Sequence, residues 1–161
     1  MDLGEAAARA ASEPGERALA DLRRAVDEEL EAAARDDDFR VRAQAYRAIG
    51  QLRFAQKTEL LRRGLEDQSP ACRGSALLSL ELLSRDHPGL VNGNRPLLHE
   101  LANADPVPAV RRLAVLCLKN GSPAQDTITL LDHFADEAEE QDLRQAAKSV
   151  ADVLRRKSRE R

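Results

Sequence analysis

The groups that could do chemistry in this chain of 161 residues are few. There are three histidines, His87, His99 and His133, and two cysteines, Cys72 and Cys117. An iron or zinc centre needs several imidazole, thiolate or carboxylate ligands converging on one point. The only His-Glu pair is His99-Glu100, no two histidines stand at ligand spacing, and neither cysteine has a partner at Cys-x-x-Cys spacing. No Gly-rich phosphate loop, Gly-x-Ser-x-Gly elbow or Ser/His/Asp arrangement can be assembled. The expectation is a protein with no catalytic residues, no metal and no cofactor.

What recurs instead is an arginine behind an apolar residue, with a small residue three places on. The copies read Val41-Arg42-Ala43-Gln44-Ala45, Cys72-Arg73-Gly74-Ser75-Ala76, Val110-Arg111-Arg112-Leu113-Ala114 and Leu143-Arg144-Gln145-Ala146-Ala147. The arginines are separated by 31, 38 and 33 residues, a period that belongs to stacked helical hairpins. Ahead of the later arginines lie Leu60-Leu61-Arg62-Arg63-Gly64-Leu65, Leu97-Leu98-His99-Glu100-Leu101 and Leu130-Leu131-Asp132-His133-Phe134, each giving one apolar stripe on a helix. The first copy is longer, about Glu16 to Arg35, with Leu19, Leu22, Val26 and Leu30 on one face. Ser69-Pro70, Asp105-Pro106 and Ser122-Pro123 are predicted to start helices. The stretch from Asp86 to Asn94 reads as a loop insertion, which explains the one long step. Residues 1–13 read as a weak cap or frayed end, and 155–161 as a basic tail, of one domain spanning 1–161.

Composition agrees with helix on helix. Hydrophobic residues make up 42% of the chain but aromatics only 2%, with no Trp, so the core must come from Ala and Leu in close helix contacts. Cys72 takes the place of Val41, Val110 and Leu143, the usual role of a free cysteine as a small buried hydrophobe. There is no apolar run long enough for a membrane span and no secretory pattern at Met1-Asp2-Leu3-Gly4-Glu5, so a cytoplasmic location is the expectation.

The acid in the turn, the apolar-Arg start of the second helix, the Ala three residues later and an aliphatic one turn on (Ile49, Leu80, Leu118) resemble the HEAT-repeat family, in its short prokaryotic, PBS-lyase-like form. The likeness covers about Glu16 to Leu154. It implies an all-α fold, an α-solenoid of about four HEAT-like hairpins whose second helices line the concave face. It also implies a structural ladder in which Asp38, Asp67, Asp105 and Asp136 pair with Arg42, Arg73, Arg111 and Arg144, within a hairpin or between neighbouring ones. A carboxylate near a helix start and a planar guanidinium fork give such pairs a physical basis. The family is rich in scaffolds and poor in shared chemistry. Deoxyhypusine hydroxylase, of similar architecture, carries several His-Glu pairs, and alkyl-purine glycosylases hold DNA with aromatic and basic residues; this chain matches neither pattern.

Net charge is −3, unevenly spread. Residues 1–38 carry −7 and residues 39–73 carry +5, so Arg40, Arg47, Arg53, Lys57, Arg62 and Arg63 could form a basic patch. Nucleic-acid binding through that segment is the alternative function, and an accessory subunit or chaperone of a lyase-like enzyme the third; an acidic first hairpin opposes nucleic acid. The sharper signal lies in the middle second helices. Counting from the arginine at about 100° per residue, positions three, seven and ten are buried, and one, two, five, eight and nine face outward. Those outward places are polar or small in the first and last copies, Gly50 and Ala146 among them, but hold Leu78, Leu82, Leu113 and Leu116 in the middle two, beside Arg47, Arg112 and Lys119. The four leucines are either a recognition strip or part of the core. The favoured reading is a non-catalytic adaptor or regulatory subunit that binds another protein's helix or extended segment, or a second copy of itself, on that strip.

Overall fold

The computed structural model describes residues 1–160, which form helices and turns with no strand among them. In chain order the helices are α1 (Leu3–Ala10), α2 (Glu16–Ala33), α3 (Phe39–Gln51), α4 (Thr58–Leu65), α5 (Pro70–Ser84), α6 (Gly89–Asn92), α7 (Arg95–Ala104), α8 (Pro108–Leu118), α9 (Gln125–Glu137) and α10 (Gln141–Arg159). The four arginines are each the fourth residue of α3, α5, α8 and α10, and α2, α4, α7 and α9 are the matching first helices. The fold class is therefore the expected one, all-α and built of four HEAT-like hairpins. The chain divides into two compact units, Met1–Leu83 and Ser84–Arg161, each with two hairpins.

In the first unit α2 buries Leu19, Leu22, Val26 and Leu30, and α4 buries Leu60, Leu61 and Leu65. Each such side chain contributes roughly 1.5–3 kcal/mol on leaving water. Positions three, seven and ten counted from Arg42 and Arg73 (Ala45, Ile49, Leu52; Ala76, Leu80, Leu83) are all buried. Residues 3–10 are not frayed. The Asp2 carboxylate accepts from the Glu5 amide at 2.8 Å, a side-chain cap, and Leu3, Ala6 and Ala10 pack α1 against α2 and α3.

Gly50 was expected outward and is buried, because α3 has a second covered face where α5 approaches. A Cβ on Gly50 would stand 2.7 Å from both Cα and Oγ of Ser79, so only glycine fits. The Ser79 hydroxyl accepts from the Gly50 amide at 2.9 Å and lies 2.5 Å from the Tyr46 carbonyl. It is thereby inserted into the backbone ladder of α3. Just beyond, Arg53 has φ 54°, and Phe54 N donates to Ile49 O at 2.8 Å. That is a Schellman close in which Arg occupies a place that favours glycine.

In the second unit α7 buries Leu98, Leu101 and Ala102, α9 buries Ile128, Leu131 and Phe134, and α10 buries Leu143, Ala147, Val150, Ala151 and Leu154. Ala146, expected outward, is also buried, because α10 packs on α8 as well as on α9. The 86–94 insertion is not all loop, since it holds α6. Asn92 Oδ1 accepts from Ser122 N at 2.9 Å and from Arg95 Nη2 at 2.5 Å, and Arg95 Nη1 reaches Thr127 Oγ1 at 2.9 Å. The prolines mislead by two residues: α8 starts at Pro108 and α9 at Gln125, leaving Pro106 and Pro123 in the turns. Of the basic tail, residues 155–159 continue α10, which runs to Arg159, and Arg161 lies outside the described residues. Lys157 is bent back, its ammonium donating to the carbonyls of Lys119 and Gly121 just past the end of α8.

Candidate binding faces and the turns that set them

The second helices are aimed by their arginines. Arg42 Nη1 donates to the carbonyls of Asp36 and Asp37 at 2.9 and 3.0 Å. Arg73 Nη1 does the same to Asp67 and Gln68 at 3.0 and 3.1 Å, and Arg144 Nη1 to Ala138 and Glu139 at 2.7 and 2.9 Å. In these three copies the guanidinium accounts for the carbonyls six and five residues before it, where the first helix ends. Arg111 departs, with Nε donating to the Ala102 carbonyl at 2.9 Å and the guanidinium over the Phe134 ring.

The acid-to-arginine ladder has a rung of the between-hairpin kind. Asp38 does not meet Arg42; it caps α3 through the Arg40 amide at 2.9 Å and takes the Arg40 side chain. Arg42 instead grips Asp67 of the next turn, Nε to Oδ2 at 2.9 Å and Nη2 to Oδ1 at 3.1 Å. Burial alone would raise the Asp67 carboxyl; the Arg42 fork and the Ser69 amide hold it below its usual range. Arg73 meets Asp67 through the backbone carbonyl. Asp105 accepts from the Val107 amide at 2.9 Å, while Asp136 is exposed. The equivalent acids are Asp36, Asp67 and Asp105, six residues before each arginine, and each carboxylate accepts the amide two residues on. That turn motif is fixed by distance from the arginine and not by the mere presence of an acid; Ala138 stands in the fourth place.

The leucines divide by unit. On α5 Leu78 is 41% exposed and Leu82 half-buried, and on α8 Leu113 and Leu116 are half-buried. None of the four belongs to the fully buried core. Arg112 is exposed, Arg47 and Lys119 half-buried.

The basic segment is answered locally. Lys57 Nζ lies 2.6 Å from Asp27 and 2.7 Å from Glu31, Arg40 is paired with Asp38, and Arg62 lies 3.3 Å from Glu66. Burial of Lys57 acts against its charge, yet the two carboxylates hold its ammonium above the ordinary range. Much of the positive surplus that would face a phosphate backbone is thus matched by carboxylates within the same unit.

Cys72 and Cys117 are free and buried. Among the described residues no three His, Cys, Asp or Glu side chains are grouped to hold a metal ion, and no helix is long and apolar enough to cross a membrane. His87 and His133 are exposed. His99 is half-buried 2.8 Å from Thr127 Oγ1, and burial lowers its pKa.

Residues 26–90, which run from α2 into α6, match the family model for HEAT repeats. No curated protein matches the chain.

Proposed function

Taking the chain as the HEAT-repeat protein that residues 26–90 mark it to be, we propose that it is a non-catalytic protein-binding module, an adaptor or regulatory subunit. The outward face of α5 in the first unit is offered to a partner, and α8 offers a face of the same kind in the second. The observation that carries this reading is Leu78, 41% exposed on a helix whose Leu77 and Leu80 are completely buried. The same place is Arg47 in α3 and Ser149 in α10. A solvated face gains nothing from leucine there, whereas a face that is covered part of the time does. Leu82, Leu113 and Leu116 extend the apolar area on each of the two helices, and Arg112 and Lys119 supply its polar rim.

The test is the double replacement Leu78→Gln and Leu116→Gln. Because neither side chain is fully buried, the helical signal should persist and Tm should fall by no more than about 5 °C. Capture of the partner that the wild-type protein retrieves from its native cell, or self-association on a sizing column, should be lost. A variant that keeps its binding, or one that unfolds outright, would overturn the assignment.

A further inference from the structure

In the second unit α7 packs chiefly on α8 and α9 on α10, so side-chain bonds between α7 and α9 join one hairpin to the next. They converge on Thr127, which lies in the first turn of α9 and is completely buried. Arg95 Nη1 donates to Thr127 Oγ1 at 2.9 Å. His99 Nε2, one turn along α7 from Arg95, lies 2.8 Å from the same oxygen. The Arg95 guanidinium also reaches the turn that leads into α9, Nη2 donating to Ser122 Oγ at 2.9 Å and Nη1 to the Ser122 carbonyl at 3.3 Å.

Counting protons fixes the state of the imidazole. A guanidinium only donates, so Thr127 Oγ1 is the acceptor in its bond with Arg95 and has its own proton left to give. Among the described residues the one acceptor that meets this proton is His99 Nε2. That nitrogen therefore carries no hydrogen, and His99 is neutral with its proton on Nδ1. Acid reverses the arrangement. A protonated Nε2 donates where it used to accept, which leaves the Thr127 hydroxyl proton buried with nothing to receive it.

The charges around the ring are few. On its own helix Arg95 stands one turn away and opposes an imidazolium, and on α9 the exposed Asp126, its Oδ1 taken by the Thr127 amide at 2.8 Å, favours one. The short α6 has no charged residue. On α8, Arg111 is given to the Ala102 carbonyl and Arg112 is exposed. Burial above all, and then Arg95, hold His99 below its ordinary 6.5 against the pull of Asp126.

We infer that His99 is an acid-sensitive latch: neutral, it ties α7 to the start of α9 through the Thr127 hydroxyl, and on protonation it lets go, loosening the start of α9 and the turn 119–124. The latch does not depend on the protein-binding reading.

The experiment uses the full ¹⁵N-labelled chain. Long-range proton–nitrogen spectra at pH 7.5 should show the His99 proton on Nδ1. On titration to pH 5 the ring and the amides of 122–128 should move together with one midpoint below 6.5, while those of α3 stay in place. Thr127→Val keeps the shape but takes away the hydroxyl that favours the neutral ring, so the His99 midpoint should rise by about half a pH unit; Thr127→Ser, which restores a hydroxyl, should titrate like wild type. Hydrogen-exchange protection of the amides 128–131 should fall about threefold between pH 7 and pH 5.5 in wild type and stay level in His99→Gln. A proton on Nε2 at pH 7.5, a midpoint at or above 6.5, amides that ignore the ring, or a Thr127→Val midpoint equal to that of wild type overturns the latch. Should Thr127→Val fail to fold, His99→Gln still decides, since protection that falls equally with and without the imidazole sinks the inference.

Discussion

In the unit built on α2 to α5, Arg42 reaches forward to the carboxylate of the following turn and holds it with two hydrogen bonds. In the unit built on α7 to α10, Arg111 turns back to a carbonyl and leaves Glu140 at 3.8 Å. The carbonyl clamp is the element that both units share, through Arg42, Arg73 and Arg144; the carboxylate fork is added where the next turn offers an acid in the right place. The arginine is thus first a device for closing a helix end, since a turn can lose its acid, as at Ala138, and keep its shape.

The sharpest way to break the first unit is Gly50→Ala. With the new methyl 2.7 Å from the backbone of Ser79, α3 and α5 must separate, at a cost of about 3 kcal/mol. Chemical denaturation should report it, and hydrogen exchange should show the loss in α3. A variant as stable as wild type would mean that the contact is looser than described.

A smaller effect separates the two kinds of turn. Asp67→Ala removes the fork and the Ser69 bond from a buried carboxylate and should cost about 2 kcal/mol. Arg144→Ala, which loses only carbonyl bonds, should cost about 1 kcal/mol. Equal costs in urea melts would show that the carboxylate contributes nothing beyond the clamp.

The smallest effect is the response to acid, which should differ in pH window. Asp67 and Glu31 have folded pKa values below their ordinary 3.8 and 4.5, so their contribution is complete above those values and fades as pH falls through the lowered ones. His99 lies below its ordinary 6.5; its contribution is complete above that value and fades as pH falls from there towards the folded pKa. Exchange protection in α7 should therefore weaken on going from pH 7 to pH 5.5 while α3 holds. Simultaneous loss in both would contradict the assignment.

The hairpins could be read from the sequence because an arginine with an alanine three residues on leaves the same trace in every copy. The buried stripe was legible for the same reason: Ala45, Ile49 and Leu52 recur as Ala147, Ala151 and Leu154. What could not be read was anything that depended on a second neighbour. Gly50 looked like a solvent position because a helical wheel has one buried side, whereas α3 is covered on two. The acids looked like one ladder because carboxylates near arginines suggest pairs, but a side chain that can reach either its own turn or the next is placed by backbone geometry. Glu140 shows the same limit, since an acid at the N-cap that fails to cap its helix has the same letter as one that succeeds.

Lys157 carries a practical lesson for anyone trimming this protein. Read as letters, Arg155-Arg156-Lys157-Ser158-Arg159 is the kind of ending that is cut away or replaced by an affinity tag. Its ammonium, however, lies against the Lys119 and Gly121 carbonyls, so an expression boundary drawn before Lys157 would unfasten the end of α8 from more than thirty-five residues away in the chain.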